Sequence, residues 1–514
     1  MSSYDLRDFI RHAAEAAASS PVAPEPEPSR RLSPLAEEIV AAPVKPSYSP
    51  VVLAGVVRLA ECLLVALTGI AVHWLYLTGR QGYSTAYFVA IPTVAALTVV
   101  VFQTLGLYHV GVFRSFVAQS VRLFGGWTVV FLVTLAAFFL AKMGDHFSRV
   151  WLVTWFVAGL GALLAGRILL SFATRAMTRA GRLDRRTAIV GGGEAAEELI
   201  LALTAQPDSG IRILGIFDDR NDERSPDVVA GYPKLGNVDD LVDFARRTHL
   251  DLVVFTLPIS AENRILQMLR KLWILPIDIR LAAHVSKLRL RPRAYSYIGN
   301  VPVLDVFDKP IADWDLVLKW LFDKIVGSLL LILLSPVMIA TAIAVKLDSR
   351  GPVFFRQKRY GFNNELIEVF KFRSMYVDQS DATAAKLVTK GDPRVTRVGR
   401  IIRKTSLDEL PQLFNVVFKG NLSLVGPRPH ALHAKAENRL YDQVVDGYFA
   451  RHKVKPGITG WAQINGWRGE TDTEEKIQRR VEHDLFYIEN WSVLSDLYIL
   501  AATPFALLKS ENAY

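Results

Sequence analysis

Residues 325–345 read IVGSLLLILLSPVMIATAIAV, an uncharged apolar run with Ser335 and Pro336 near its middle. At a rise of 1.5 Å per residue, a helix of this length just crosses the roughly 30 Å hydrocarbon layer of a bilayer. A simple transmembrane span is therefore the first interpretation. It would place the residues after 346 and the residues before 325 on opposite sides of the membrane.

Positive charge on both flanks of this run favours a different topology. Lysines and arginines stand on both sides, at Lys319, Lys324, Arg350, Arg356 and Lys358. Because positively charged flanks tend to stay in the cytoplasm, the segment is expected to enter the membrane and return. Pro336 removes one backbone donor, and Ser335 is able to satisfy the carbonyl that this frees. We therefore expect a re-entrant pair of helices over about 320–347.

Four further apolar runs lie upstream, at 51–77, 84–107, 121–141 and 150–172. Each is close to the roughly 20 residues that a helix needs to cross a bilayer, so they predict a four-helix transmembrane bundle over 51–173. Arginines cluster at and beyond the end of the fourth run, at Arg167, Arg175, Arg179, Arg182, Arg185 and Arg186. The positive-inside rule places this cluster in the cytoplasm and, with four crossings, the N-terminus as well.

The composition agrees with a membrane protein that also has soluble parts. Of the 514 residues, 51% are apolar and 21% are charged, which excludes a wholly disordered chain. The single cysteine, Cys62, excludes a disulfide scaffold. Residues 1–50 are rich in Pro and Glu and are expected to be a disordered tail. The net charge of +10 suits anionic lipid, phosphorylated substrates or nucleic acid, and composition does not choose among them.

Strand and helix patterns alternate over 187–308, between the spans and the fifth run. Such alternation predicts a Rossmann-like α/β domain with a parallel, doubly wound sheet. Gly191 and Gly193 follow the first strand and Asp218 ends the second, a spacing that resembles the dinucleotide fingerprint. Ala196 stands at the third glycine position, where alanine is allowed. Nucleotide binding through these residues and a purely architectural or regulatory domain are both retained as interpretations.

The densest set of residues suited to bind phosphate lies beyond 350. The set comprises Lys371 and Arg373 in KFRSM (371–375), Arg403, Asp408 and Glu409 in RIIRKTSLDELPQL (400–413), and Pro427, Arg428 and Pro429 in GPRP (426–429). Pro411 suits the first turn of a helix that ends at Gly420, which places Asp408 and Glu409 at the helix N-terminus. The helix dipole stabilises both a carboxylate and a bound phosphate there.

Two non-catalytic interpretations compete for this cluster. Ser406 and Glu409 match a capping box, in which the two side chains satisfy each other's backbone donors. A group of charges on a solvated helix face is the other. Neither explains the additional Asp408 with Arg403 just upstream, so a catalytic site stays as plausible as the two alternatives from residue chemistry alone.

Four motifs in this order resemble the bacterial sugar transferase family: KFRSM at 371–375, TSLDELPQ at 405–412, GPRP at 426–429 and KPGITGWAQING at 455–466. The family comprises monotopic polyprenyl-phosphate phosphoglycosyl transferases that start exopolysaccharide and O-antigen synthesis. The resemblance implies an α-rich monotopic catalytic domain over 313–514, and the spans with the sheet domain look like the N-terminal half of long-chain members. The stretches at 467–473 and 511–514 look most like the undecaprenyl-phosphate glucose phosphotransferases.

This resemblance implies a nucleophilic mechanism. Asp408 attacks the β-phosphate of UDP-glucose, releases UMP and holds glucose-1-phosphate as an aspartyl phosphodiester, and Glu409 then assists attack by undecaprenyl phosphate. Arg403 matches the family's basic residue five positions before the nucleophile. Mg²⁺, held through Asp408, lowers the repulsion between carboxylate and diphosphate. The substrate-binding positions are expected to be Lys371, Arg373, Pro427, Arg428 and Pro429.

The resemblance also implies partners and a location. UDP-sugar, undecaprenyl phosphate and membrane lipid are expected, nucleic acid is not, and a homodimer is left undecided. The chain is expected to be a multi-pass protein of the bacterial inner membrane, with its N-terminus, Rossmann-like domain and active site in the cytoplasm. Galactose-1-phosphate transfer and a nucleotide-sugar-binding regulator of polysaccharide assembly are the alternative functions. A nucleotide-sugar dehydrogenase or epimerase, or a glycosyltransferase that releases UDP, are further rivals.

Overall fold

The computed structural model describes residues 32–43, 47–77, 85–113, 116–143, 146–206, 210–220, 225–258, 261–282, 296–298, 301–377, 392–430, 435–436, 439–441, 445, 447–467 and 473–509. The chain divides into two compact units. The helical unit is Lys45–Arg185, and the large unit joins Met1–Val44 to Arg186–Tyr514.

Long apolar helices build the helical unit. They are Pro50–Tyr76, Thr85–Thr104, Phe116–Leu140 and Arg149–Arg179, with the short helix Val110–Phe113 before the third. The first long helix packs against the second and the fourth, and the third packs against the same two. Together with one helix of the large unit, the described residues contain five helices long and apolar enough to cross a membrane. The chain is a membrane protein, as its sequence predicted.

Arg167 corrects one part of the sequence prediction. It lies inside the helix Arg149–Arg179 and is fully buried, so it does not belong to the flank of that helix. Its guanidinium donates from Nε (2.6 Å) and Nη2 (3.0 Å) to Glu61 and from Nη1 to the carbonyl of Leu107 (2.9 Å). Because this charge is neutralised inside the unit, the positive-inside argument rests on Arg175 and the arginines that follow it.

An eight-stranded sheet forms the first part of the large unit, in the spatial order β3-β4-β2-β1-β5-β6-β8-β7. The strands are β1 (Arg185–Val190), β2 (Ile211–Phe217), β3 (Val228–Val229), β4 (Tyr232–Gly236), β5 (Leu252–Phe255), β6 (Asp278–Ala282), β7 (Ser296–Ile298) and β8 (Val301–Phe307). The helices of this sheet domain are Glu194–Thr204, Val238–Arg247 and Glu262–Leu272.

The central strands of the sheet pair in parallel, as the alternating pattern predicted. They are β1 with β5, β5 with β6, and β2 with β4. The expectation of an all-parallel sheet is wrong at both edges, where β3 runs antiparallel to β4 and β8 antiparallel to β6 and β7. The pairs β3–β4 and β7–β8 are closed by short connections, which allow only antiparallel strands because a parallel pair needs a long crossover.

The helix Pro34–Ala41 corrects the expectation of a disordered tail over 1–50. Ser33 caps this helix by accepting a hydrogen bond from the amide of Ala36, and its hydroxyl donates to a carbonyl of β4 at 2.7 Å. Ala36 is fully buried in the core of the sheet domain. A few apolar residues suffice to extend a core that already exists, so the composition of the tail does not reveal them. Residues 1–31 lie outside the described residues.

The remaining part of the large unit is rich in helices, as expected, and centres on the helix Asp313–Asp348. Its strands are β9 (Phe354–Tyr360), β10 (Leu366–Phe372), β11 (Ser423–Val425), β12 (Lys435–Ala436), β13 (Arg439–Leu440) and β14 (Gly457–Thr459). Its other helices and helical turns are Phe362–Asn364, Arg397–Lys404, Leu407–Glu409, Gln412–Phe414, Asn415–Lys419, Tyr448–Lys453, Trp461–Ile464, Glu474–Glu489 and Val493–Lys509.

The helix Asp313–Asp348 continues through Pro336, so the expected pair of helices is wrong and a single helix of 36 residues takes its place. Pro336 lacks the donor that would bond to the carbonyl of Ile332. The hydroxyl of Ser335 donates to that carbonyl at 2.8 Å. The predicted role of Ser335 is therefore confirmed, and it keeps the freed carbonyl satisfied within an apolar segment.

Both ends of this helix are anchored in the same folded core. Near its start, Asp323 accepts hydrogen bonds from the amide of Leu424 (3.0 Å) and the hydroxyl of Ser423 (2.9 Å). At its end, Asp348 accepts one from the amide of Val398 (3.0 Å). Large apolar side chains between the two anchors face outward, with Ile332 72% and Leu333 71% exposed.

Candidate active site

Two adjacent carboxylates lie in a short turn of the large unit. Asp408 and Glu409 belong to the 3-10 turn Leu407–Glu409, and Ser406 precedes it in the left-handed conformation with φ 59°. The helical segment that follows ends at Gly420, also left-handed with φ 66°, which is the predicted stop. The tight reversal at Ser406 brings both carboxylates to the start of that segment, as expected from the sequence.

Glu409 is held by two cations. Its carboxylate accepts hydrogen bonds from Lys371 Nζ at 2.9 Å and from both terminal nitrogens of Arg428, at 2.5 and 3.1 Å. Burial acts to raise the pKa of Glu409, but Arg428 and Lys371 outweigh it and hold the pKa well below its usual range. The capping box with Ser406 is not formed, because the carboxylate of Glu409 faces these cations instead.

Asp408 has a different environment from its neighbour. Its side chain is buried, with the residue only 9% exposed, and the salt bridges of Lys371 and Arg428 go to Glu409. Burial raises the pKa of Asp408, and the charge of Glu409 raises it further, while Lys371, Arg403 and Arg428 act in the opposite direction. Asp408 is therefore the more basic of the two carboxylates, and its oxygens are not engaged by the cations that bind Glu409.

The backbone of the Pro-Arg-Pro segment is held on both sides. The carbonyl of Pro427 accepts from the amide of Gly457 at 2.9 Å, and that of Pro429 accepts from Arg359 at 3.1 Å. The carbonyl of Arg428 accepts from Arg451 at 2.7 Å. These contacts hold the backbone from which the Arg428 side chain extends, and the predicted substrate contacts of Pro427 and Pro429 stay predictions.

Arg403 and Arg373 have different positions relative to the two carboxylates. The charge of Arg403 acts on Asp408 from the last turn of the helix Arg397–Lys404, although the side chain is partly exposed. Arg373 is buried, and its guanidinium donates to the carbonyls of Arg350 (2.6 Å) and Ser349 (2.8 Å). Arg373 bonds to these backbone carbonyls and not to the two carboxylates, and its predicted contact with substrate stays a prediction. Arg373 holds the chain just after the helix Asp313–Asp348.

Sequence reasoning missed a group of buried cations behind the Pro-Arg-Pro segment. Arg451 pairs with Asp484 at 2.5 Å, and both side chains are almost fully buried. Burial, followed by repulsion from Arg428, lowers the pKa of Arg359 to about 10. These residues belong to β9 and to helices far apart in the sequence. Each looks like an ordinary surface charge when read alone, so only their proximity in the fold identifies them.

The glycine loop of the sheet domain has the predicted geometry, but its acid, Asp218, is already hydrogen-bonded within the protein. Gly191 (φ 101°) and Gly193 (φ 82°) both adopt positive φ. Asp218 is buried, and its carboxylate accepts from the amide of Gly192 at 2.8 Å and pairs with Arg220 at 2.8 Å. The acid that would hold a ribose is thus bonded to the loop itself. Nucleotide binding by this domain stays a prediction.

The donors around Asp408 fit Mg²⁺ only together with a phosphorylated substrate. Among the residues that the structure describes, no group of three or more His, Cys, Asp or Glu side chains could hold a metal ion. Glu409 is already bonded to cations, which leaves Asp408 as the protein carboxylate. Mg²⁺ commonly takes one or two carboxylates and completes its shell with phosphate oxygens and water, so this donor set fits that mode of binding.

Comparisons with known proteins match both parts of the chain. A family profile described as bacterial sugar transferase matches residues 314–510, and one described as a CoA-binding domain matches residues 103–283. A Xanthomonas campestris pv. campestris protein is 34% identical over 89% of this chain and 94% of its own length. A Klebsiella pneumoniae protein and one from Escherichia coli strain K12 are each 38% identical over 82% of this chain and 89% of their own lengths. All three are named UDP-glucose:undecaprenyl-phosphate glucose-1-phosphate transferase.

Proposed function

We propose that this chain, which belongs to the bacterial sugar transferase family, transfers glucose-1-phosphate from UDP-glucose to undecaprenyl phosphate and releases UMP. Relatives that match it over most of both chains are named for this reaction. Glucose is favoured over galactose because the agreement includes the sheet domain and the spans as well as the residues around Asp408. The reaction would be the first membrane step in the synthesis of an exopolysaccharide or O-antigen.

The contrast between Asp408 and Glu409 carries this proposal. Glu409 is bonded to Lys371 and Arg428, whereas Asp408 is buried and more basic, which suits it as the nucleophile. One oxygen of Asp408 forms a bond to the β-phosphorus of UDP-glucose. The bond from that phosphorus to the bridging oxygen breaks, and its electron pair leaves with UMP. Asp408 then carries glucose-1-phosphate as a phosphodiester.

The second step regenerates Asp408. An oxygen of undecaprenyl phosphate attacks the same phosphorus, and the bond to the Asp408 oxygen breaks and returns its electron pair to the carboxylate. Because the pKa of Glu409 is held low, this residue is a poor proton acceptor. Glu409 assists by orienting Lys371 and Arg428. These two cations and Arg403 stabilise the charge that develops on the phosphate oxygens.

Mg²⁺ is part of the proposal as the cofactor. It would be held by Asp408 and the diphosphate of the substrate, where it would neutralise charge on the phosphate oxygens. The charges of Lys371, Arg403 and Arg428 act on Asp408, and they would act on the same phosphate oxygens of a substrate bound there. The protein's own contribution is thus a set of three cations arranged around one available carboxylate.

The membrane placement follows from the two anchors of the helix Asp313–Asp348. Because Asp323 and Asp348 bond to the same folded core, both ends of the helix belong on one side of the bilayer. The exposed apolar side chains between them would enter the lipid. We place this core and the sheet domain in the cytoplasm, where UDP-sugars are made, and the four helices of the helical unit across the inner membrane.

An impermeant maleimide tests this placement in intact cells that carry Cys62→Ser. A cysteine at Lys358, an exposed residue of β9, should label only after the membrane is opened. A cysteine at Gly82, which lies outside the described residues between the first two spans, should label from outside. External labelling at Lys358 would contradict both the placement of the two helix ends on one side of the membrane and the cytoplasmic site.

A radiolabelled UDP-sugar panel tests the reaction itself. The full chain in nanodiscs with undecaprenyl phosphate and Mg²⁺ should transfer label from UDP-glucose to lipid and release UMP in equal amount. UDP-galactose should be the poorer donor. Release of UDP instead of UMP would identify a glycosyltransferase, and preferred use of UDP-galactose would identify the alternative sugar. Asp408→Asn is the negative control.

A further inference from the structure

A 3-10 helix, Tyr448–Lys453, lies directly behind the active-site loop. Its Arg451 donates to the carbonyl of Arg428 at 2.7 Å and pairs with Asp484 at 2.5 Å. Arg428 in turn makes the bidentate pair with Glu409. A displacement of this helix would therefore displace the backbone from which the Arg428 side chain reaches the carboxylates.

The sheet domain packs against the start of this helix through Trp273. Trp273 follows the helix Glu262–Leu272, and its ring lies so close to Gly447 that a Cβ on this residue would overlap the ring. Gly447 also has φ 71°, so a glycine is needed both for the conformation and for the contact. Lys453, at the other end of the 3-10 helix, has its Nζ 5.1 Å from the centroid of the same ring.

Two further contacts join the sheet domain to the same region. The guanidinium carbon of Arg246 lies 5.1 Å from the ring centroid of Phe449, which belongs to the 3-10 helix. Asn363, in the turn after β9, donates to the carbonyl of Ala245 at 3.1 Å. The sheet domain thus contacts the first residue before the helix, a residue within it and its last residue.

We propose that the sheet domain positions the active site mechanically, with Trp273 as a positioning residue that acts through Tyr448–Lys453 and Arg451 on Arg428. The inference rests on the proposed function, in which Arg428 stabilises the reacting phosphate. It gives this domain a role in turnover that needs no bound nucleotide. That agrees with the glycine loop, where Asp218 is already bonded to Gly192 and Arg220.

The expected effect is on turnover more than on substrate affinity. A misplacement of about 1 Å caused by a change far from the reacting atoms lowers rates by up to roughly a hundredfold. Trp273→Ala removes the ring that contacts Gly447 and Lys453, and we expect kcat for UMP release to fall about tenfold with the KM for UDP-glucose changed less than about twofold. Trp273→Phe keeps an aromatic ring and should recover most of the loss.

The experiment uses the full chain in nanodiscs. Leu201→Ala is the matched control, because Leu201 is an exposed apolar residue of the sheet domain, on the helix Glu194–Thr204. This variant should keep wild-type kcat. Thermal unfolding of each variant separates lost stability from lost turnover. Trp273→Phe and Lys453→Met alter the same contact with smaller changes in volume, and each should lower kcat by a factor of roughly two to three.

A double-mutant cycle with Arg451→Lys tests the route. If Trp273 acts through Arg451, the double variant should be no slower than the slower single variant, whereas independent effects would multiply. Wild-type kcat in Trp273→Ala, or multiplicative losses in the double variant, would overturn the inference. UMP release by the wild-type protein in the same assay tests the proposed function separately. If the wild type releases UMP and Trp273→Ala has the same kcat, this inference is refuted and the proposed function stands.

Discussion

The turn at Asp408 and the glycine loop of the sheet domain both hold an acid near the start of a helical segment, and the two acids differ in chemistry. Asp408 lies within its turn, whereas Asp218 follows β2 and reaches the loop that precedes the helix Glu194–Thr204. At the glycine loop, Asp218 bonds to the amide of Gly192 and to Arg220. In the other turn, Glu409 forms the salt bridges with Lys371 and Arg428, so these two cations do not bond to the carboxylate of Asp408.

This difference shows that a neighbour decides whether an acid in such a turn is free to react. Asp218 has to satisfy a backbone amide and an arginine by itself. Asp408 has Glu409 beside it to engage the cations, and burial with the charge of Glu409 then raises its pKa. Two adjacent carboxylates, of which only one forms salt bridges, therefore indicate a catalytic site better than a single acid near a glycine-rich or proline-rich turn does.

The largest effect should come from Asp408→Asn. An amide is not a competent nucleophile, so UMP release and lipid labelling should fall by at least about a thousandfold. Single-turnover assays with radiolabelled UDP-glucose measure both products. Thermal unfolding close to that of the wild type would establish that the fold is retained. Robust turnover by this variant would refute the covalent assignment and with it the contrast between the two turns.

Glu409→Gln should have the next largest effect. Losing the carboxylate releases Lys371 and Arg428 from their ion pairs, and turnover should fall roughly a hundredfold because these cations no longer have fixed positions. Because Glu409 is assigned to the attack by undecaprenyl phosphate, the second step should lose more than the first, and enzyme-bound sugar phosphate should accumulate. Equal loss of both steps in rapid-quench measurements would show that Glu409 acts on the first step as well.

The pH dependence should sharpen the contrast within the pair. Burial first, and the charge of Glu409 in addition, raise the pKa of Asp408, so kcat/KM should fall on acidification at a higher pH than for an ordinary aspartate. In Glu409→Gln the negative neighbour is gone, and the acid limb should move to lower pH. A shift to higher pH in this variant would contradict the electrostatic account of Asp408.

Asp218→Asn should have the smallest effect on turnover. Burial acts to raise the pKa of Asp218, but Arg220 and the Gly192 amide hold it below its usual range. A depressed pKa stabilises the fold above the unfolded value near 4, and this contribution is lost as pH falls through the folded value. The variant should be less stable by about 1–3 kcal/mol at pH 7, with a smaller difference below pH 4. A change of kcat beyond about twofold would indicate a ligand-linked role for this loop.

The residues that sequence reasoning identified are those whose partners lie nearby in the chain or whose chemistry has few alternatives. Ser335 satisfies a carbonyl three residues away, and Gly420 ends a helical segment at a positive φ. The five membrane helices follow from composition because an apolar run of 20 residues has few other uses. Asp408 and Glu409 were identified as a candidate site because a capping box explains Ser406 and Glu409 but gives no reason for a second acid at Asp408.

The residues that sequence reasoning misplaced have partners that are distant in the chain. Arg167 was grouped with the arginines that flank a span, but it pairs with Glu61 on another helix and is buried inside the helical unit. Arg373 lies two positions from Lys371, so strand alternation would place both side chains on one face. However, β10 ends at Phe372, and Arg373 bonds to the backbone just after the long helix instead of to Glu409. Arg451 bonds to Arg428 and Asp484, and Trp273 contacts Gly447 and Lys453 from the sheet domain; no local sequence pattern encodes either set of contacts.

The formation of a sugar phosphate ester on Asp408 is the most direct test of the account. Full-length Glu409→Gln and wild type, incubated with UDP-glucose and Mg²⁺ without undecaprenyl phosphate, would be quenched in acid and digested for peptide mass spectrometry. A hexose-phosphate adduct is expected on the peptide that contains Asp408, formed with one UMP per adduct. Adding undecaprenyl phosphate before the quench should remove the adduct from the wild type and remove it more slowly from Glu409→Gln. Lipid labelling by the wild type with no adduct in either protein, or an adduct on Glu409 instead, would contradict it.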